Sequence, residues 1–224
     1  ISVIFKRFGI LTLPAVFDKN FLKGCVLTPF GNVSKLSKQA GLVGGRMNRC
    51  FNRTQIPVAA QAFRDAEKLV FRRFSLGEHD LRKNQYEVKT LAYLNEHEVQ
   101  QGAFAHLCKY SYEKPSQFTP AEKEEVNFYR VCLQDNIILD AVDRANSFIK
   151  LGPLMLYIAV HELIHVIRFG SGAIDFDAAP AEKEQEEKIV HSLTRETLQT
   201  ARQSDMEIIL DCFSSQFEIS NICN

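Results

Sequence analysis

Leu151-Gly152-Pro153-Leu154-Met155-Leu156-Tyr157-Ile158-Ala159-Val160-His161-Glu162-Leu163-Ile164-His165-Val166-Ile167-Arg168-Phe169 decides how this chain is organised. Apart from His161, Glu162, His165 and Arg168, the stretch is apolar on every side, the pattern of a helix buried on all its faces. Pro153 suits a first helical turn, and Gly170-Ser171-Gly172 supplies residues able to take the left-handed conformation that a helix end often needs. A membrane span is the competing account. The uninterrupted apolar part before His161 is too short for one, and three titratable residues in the remainder would be costly in hydrocarbon. A core helix is expected, and no membrane association.

Two histidines four residues apart stack on one face of such a helix, with the intervening Glu162 pointing beside them. Three polar groups in an otherwise apolar helix carry a desolvation cost that a divalent metal with its water would offset. His161 and His165 are therefore expected to be metal ligands. A lone histidine in apolar surroundings, such as His106, is expected to be a hydrogen-bonded core residue.

The segment Ile158-Ala159-Val160-His161-Glu162-Leu163-Ile164-His165-Val166-Ile167 resembles the extended HExxH signature of the zincin metallopeptidases, whose flanks are uncharged, free of proline and mostly apolar. The resemblance covers about a dozen residues. It implies a Zn2+ site with three protein ligands and an open fourth position, and Glu162 as the base that takes a proton from the attacking water. The metzincin continuation HExxHxxGxxH is absent, because Arg168 and Ser171 stand where that branch has glycine and histidine. The remaining pattern, gluzincin-like, takes its third ligand from a glutamate on a downstream helix.

Such a helix is expected from Pro180, where PAEKEQEEKIVHSLTRETLQ opens with proline and acidic residues in its first turn. Its candidates are Glu182, Glu184, Glu186, Glu187 and His191. At 100° per residue, Glu184, Glu187 and His191 share one stripe, and Glu186 shares the opposite, apolar stripe with Ile189, Val190 and Leu193. If only the apolar stripe faces the motif helix, Glu186 is carried inward. If the helix is sandwiched, Glu187 and His191 offer a ligand and a partner that orients it, in either assignment. Glu187 or His191 is the expected third metal ligand, with Glu184 and Glu186 as alternatives. Tyr129, Tyr157 and Arg195 are candidate donors to a developing oxyanion.

Two other classes meet the same residues. Glu162-Leu163-Ile164-His165 is also an ExxH of the kind that ferritin-like di-iron bundles use, but the second copy is missing: Glu187 to His191 is one residue too long. A non-catalytic metal-binding or regulatory domain, its zinc closed by a fourth protein ligand, is the other alternative to a peptidase.

The 224 residues carry equal numbers of acidic and basic side chains, which gives no general electrostatic case for nucleic acid. A peptide or protein substrate is expected instead. The six cysteines form no CxxC pair or closely spaced framework, and Cys108, Cys132 and Cys212 are expected as reduced thiols in apolar helices, in a cytoplasmic protein. The opening ISVIFKRFGILTLPAVF is interrupted by Lys6-Arg7 and lacks signal-peptide order.

Residues 1–55, with β-branched and aromatic residues broken by turns such as Thr28-Pro29-Phe30-Gly31-Asn32, are expected to form an extended or small β region. Residues 56–224 are expected to form one helical domain carrying the HExxH site. Its helices are expected over Pro57–Phe74, over Glu78–Gln101, over a segment opening at Thr119-Pro120 and running with one break to Lys150, and over Ser204–Phe217. The fold class is thus mainly α (α+β), with a zincin-like active-site helix.

Overall fold

A computed structural model describes residues 4–7, 49–77, 84–115, 123–200 and 204–213. The order is β1 (Ile4–Arg7), α1 (Gln55–Phe74), β2 (Tyr86–Lys89), β3 (Leu107–Pro115), β4 (Lys123–Cys132), α2 (Asp135–Arg144), α3 (Leu151–Gly170), α4 (Pro180–Gln199) and α5 (Ser204–Cys212). The fold is mainly α with a small sheet.

Helix α3 is the apolar stretch, and it lies at the centre. It is long and apolar enough to cross a membrane, but 78% of its most apolar stretch is buried inside the protein by other elements. Helix α1 covers one side with a stripe at helical spacing: Ala59, Ala62, Phe63, Ala66 and Val70 are all buried. Alanine on this stripe lets two helix backbones come close. Asn52 starts α1 by accepting the N–H groups of Thr54 and Gln55 at 2.9 and 3.0 Å, and Pro57, in the first turn, lacks only an N–H that would find no helical partner. Helix α5 packs Met206, Ile209 and Leu210 into the same core.

The sheet has the order β1-β3-β4-β2, with β1–β3 and β3–β4 antiparallel and β2–β4 parallel. Side chains alternate across it. Val88, Leu107, Tyr129 and Val131 join the main core, while Cys108, Tyr110 and Cys132, with Phe128 against them, form a separate cluster on the other face.

Three helical expectations are corrected here. The part of Glu78–Gln101 that is described holds strand β2 and two single 3-10 turns, Leu91–Tyr93 and Glu96–Glu98. The segment from Thr119 contains strand β4, and only Asp135–Arg144 is helical before Lys150. Cys108 and Cys132 consequently sit on strands. The acidic start after Pro120 imitates a helix N-terminus, but β4 has partners on both edges, and its Tyr129 and Val131 alternate with Phe128, Arg130 and Cys132 at period two. The sheet therefore draws three of its four strands from beyond residue 55. Of the N-terminal region expected to be extended, Ile4–Arg7 is a strand and residues 8–48 lie outside the described residues, as do residues 214–217 of the last expected helix.

Two buried carboxylates tie the sheet to its surroundings. Asp135, at the start of α2, accepts the backbone N–H groups of Phe51 at 2.8 Å and Leu91 at 3.0 Å. Glu98, fully buried, accepts from the Tyr110 hydroxyl at 2.5 Å, Arg130 Nη1 at 2.6 Å and the Asn95 N–H at 2.7 Å. Burial alone would raise the pKa of Glu98, but the Tyr110 hydroxyl and Arg130 hold it down at about 2. A carboxylate whose folded pKa is depressed contributes stability above its unfolded value, near 4.3, that is lost as the pH falls through the folded value. The stability advantage over Glu98→Gln is expected to be largest near neutral pH and to shrink between about pH 5 and pH 2, while Glu98→Ala costs about 3 kcal/mol at pH 7. Urea unfolding midpoints across that range check this; a gap that does not change with pH contradicts it.

Candidate metal centre

His161 and His165 lie one helical turn apart on the inner side of α3, with ring centroids 4.9 Å apart. Both are buried, and their Nε2 atoms come within 3.2 Å of each other. The third corner comes from α4. Glu187 places Oε2 3.4 Å from His161 Nε2 and Oε1 3.2 Å from His165 Nε2. The three side chains form one of the donor groups within which every ligand atom lies within 4.8 Å of the others.

Adjacent residues of α4 set its register on α3. Glu186 receives Arg168 in a two-pronged ion pair, Nε to Oε1 at 2.5 Å and Nη2 to Oε2 at 2.8 Å. Glu187 then falls beside the histidines. Further along α4, Val190, Thr194 and Leu198 are buried, and Arg195 donates to the Leu210 carbonyl of α5 at 2.8 Å. One broad face of α4 is thus buried, running between the two expected stripes through Glu186, Glu187, Val190, Thr194, Thr197 and Leu198, while Glu182, Glu184, Lys188 and Glu196 on the far side stay exposed, so α4 is not sandwiched. The start of the helix is fixed by Pro180 in its first turn and by Glu182, which accepts the Ala179 N–H at 3.0 Å.

The other candidates are placed elsewhere. Glu184 is exposed and paired with Lys188 at 2.7 Å. Glu186 is committed to Arg168. His191 is outside the convergent trio but next to it: its ring centroid is 4.5 Å from that of His161, and its Nδ1 is hydrogen-bonded to the Tyr157 hydroxyl at 2.8 Å. Tyr157 stands one turn before His161 on α3 and stacks on Phe213 at 4.1 Å. Tyr129 is packed among Phe169 and Phe176.

The protonation states suit a cation. Burial, reinforced by His191 and His165, lowers His161 to about 3, so its ring is neutral, the form that ligates. Burial would raise Glu187, but the imidazoles, His165 foremost, hold its carboxyl below the usual range. Burial, and then the charge of Glu187, raise Glu162 well above a normal carboxylate. Neither oxygen of Glu162 has a hydrogen-bond partner among the described residues, nor does His161 Nδ1.

The donor geometry fits zinc. A tetrahedral ion with Zn–N and Zn–O bonds near 2.05 Å separates its ligand atoms by about 3.3 Å. Four donor atoms meet here at such separations: His165 Nε2 lies 3.2 Å from His161 Nε2 and 3.2 Å from Glu187 Oε1, and Glu187 Oε2 lies 3.4 Å from His161 Nε2.

A second group escaped the sequence reading. His106 is buried, but neither of its ring nitrogens has a hydrogen-bond partner among the described residues, and it lies with Cys108 and Cys132. The available signal was the His106-x-Cys108 spacing, which places both side chains on one face of a strand. Comparison with family models, with curated proteins and with solved structures finds no match for this chain.

Neighbouring substitutions on α4 separate the roles of the two glutamates. Glu187→Gln is expected to weaken zinc binding by more than about 100-fold. Glu186→Gln is expected to lose about 1–3 kcal/mol of stability through Arg168 and to keep affinity within about tenfold. Competition titration against a chelator, with parallel unfolding curves, reads both, and the reverse pattern overturns the assignment.

Proposed function

We propose that the protein is a zinc-dependent hydrolase, gluzincin-like in its ligand set, acting on peptide bonds, with His161, His165 and Glu187 holding the metal and Glu162 as the base. The observation that carries this reading is the convergence of Glu187 on His161 and His165 of the HExxH helix, with nearest donor atoms 3.2–3.4 Å apart, the spacing of ligands around a tetrahedral zinc. When bound, Zn2+ supplies a Lewis acid that polarises a carbonyl and lowers the pKa of water to about 7.

The chain's own residues supply the rest. Glu162 adjoins His161 in sequence and has both oxygens free of other bonds, so it is available to accept a proton from water and pass it to a leaving amine. Its raised pKa is the direction that suits a carboxylate base working near neutral pH. In the tautomer in which the Tyr157 hydroxyl donates to His191 Nδ1, 2.8 Å away, the other ring nitrogen of His191 carries an N–H beside His161. That N–H is the oxyanion donor in this reading, with Tyr157 positioning it. The substrate is a peptide or protein, and the thiols of Cys108 and Cys132, 3.6 Å apart and not joined in a disulfide, accord with a cytoplasmic setting.

One observation favours a second reading. His161, Glu162 and His165 are at most 1% exposed, which suits a closed, non-catalytic zinc site with His191 as its fourth ligand. Glu162→Gln distinguishes the two. In the hydrolase it is expected to lower cleavage of a peptide library by about 10²–10⁴-fold while zinc affinity at His161 and His165 is retained. Equal, near-zero turnover in both proteins, with zinc bound in both, establishes the closed site and removes the hydrolase.

A further inference from the structure

We propose that His106, Cys108 and Cys132 form a second zinc site, built on the outer face of the β3–β4 hairpin and sharing no residue with the HExxH centre.

Strand pairing brings the three together. In the antiparallel register Leu107 stands opposite Val131, so His106, one residue earlier, stands opposite Cys132. The Cys132 N–H donating to the His106 carbonyl at 3.0 Å continues the ladder to that pair. Cys108 is two residues beyond His106 and therefore on the same face. The three donors come from two strands and converge by geometry that any hairpin of this register would impose.

The distances suit a metal. Cys108 Sγ and Cys132 Sγ are 3.6 Å apart, and tetrahedral zinc with Zn–S bonds near 2.3 Å separates two sulfurs by about 3.8 Å. All three ligand atoms lie within 4.8 Å of one another. His106, 2% exposed, has no hydrogen-bond partner for either ring nitrogen among the described residues. A buried imidazole whose polar neighbour is only the weakly bonding Cys108 thiol is costly, and a cation between it and the sulfurs removes that cost.

Charge selects the ion. Two thiolates and a neutral imidazole around Zn2+ make a neutral complex, whereas Cu+ would leave a net negative charge beside apolar Leu94 and Phe128 and the ionised Glu98, whose charge Arg130 already offsets. Zinc there clamps β3 to β4 on the face opposite the main core.

Cobalt substitution tests this without reliance on activity. Metal-free full-length protein is prepared under reducing conditions and titrated with Co2+. Thiolate-to-cobalt charge-transfer absorption is expected in the wild type, retained in His161→Ala and lost in Cys108→Ser and in Cys132→Ser. Retention in His161→Ala makes the result independent of the HExxH centre, so either proposal can fail alone. Where a cysteine variant does not fold, the wild-type spectrum and the folded variant His106→Gln decide, the latter being expected to weaken cobalt binding at the sulfurs by more than about tenfold. A cobalt-saturated wild type without charge-transfer absorption overturns the proposal. So does a band that persists in both folded cysteine variants, or a Cys108–Cys132 disulfide found by mass spectrometry in zinc-loaded protein.

Discussion

The contact between Glu187 and the two imidazoles of α3 is the constraint around which the helical part of the molecule is arranged. Glu187 stands 3.2–3.4 Å from two buried ring nitrogens although α4 keeps its opposite side in solvent. Helix α4 has to lay one broad face on α3, and its neighbouring Glu186 has to be neutralised as well. Arg168 does this from the last turn of α3. Two adjacent acidic residues thus find two different partners on one helix, and that double match admits a single register. Sliding α4 by one residue would put Glu186 against the imidazoles and leave Arg168 without a carboxylate.

The helices were legible to different degrees, for physical reasons. Helix α3 could be read to within a residue because apolar side chains on all faces, bounded by Pro153 and by glycines, have few other structural outcomes. Helices α1 and α4 showed a period near 3.6 with proline in the first turn. The sheet was hidden. Glu87, Glu98 and Arg130 put charge into strands and turns, where composition alone suggests a solvated helix. Their charge is satisfied by mutual pairing that depends on which strands are neighbours: Arg130 reaches both Glu87 and Glu98. Propensity in a short segment does not contain that information.

The site divides in the same way. His161, Glu162 and His165 come from one turn of one helix, so their proximity follows from spacing. Glu187 comes from another element, and the sequence could narrow it to a stripe shared with His191 and no further, since the buried face of α4 falls between the two stripes that periodicity suggests. His106, Cys108 and Cys132 lie still further from sequence reading. Cys132 is 24 residues from Cys108, and only the hairpin register makes them neighbours. Distance along the chain matters less here than the number of independent packing events that must occur before the atoms meet.

Two glutamates show what burial alone does not decide. Glu98 and Glu162 are both fully buried. Glu98 is surrounded by a hydroxyl, a guanidinium and a backbone N–H, and these hold it ionised. Glu162 has no hydrogen-bond partner for either oxygen among the described residues, and burial pushes its pKa the opposite way. The first is a structural carboxylate whose desolvation is offset by partners. For the second, leucine or methionine would fit the apolar helix around it at lower cost, because an unsatisfied buried polar group is worth about 1–3 kcal/mol of lost stability. In the proposed hydrolase this cost, beside two buried imidazoles and Glu187, is accounted for by the proton that Glu162 can accept rather than by packing.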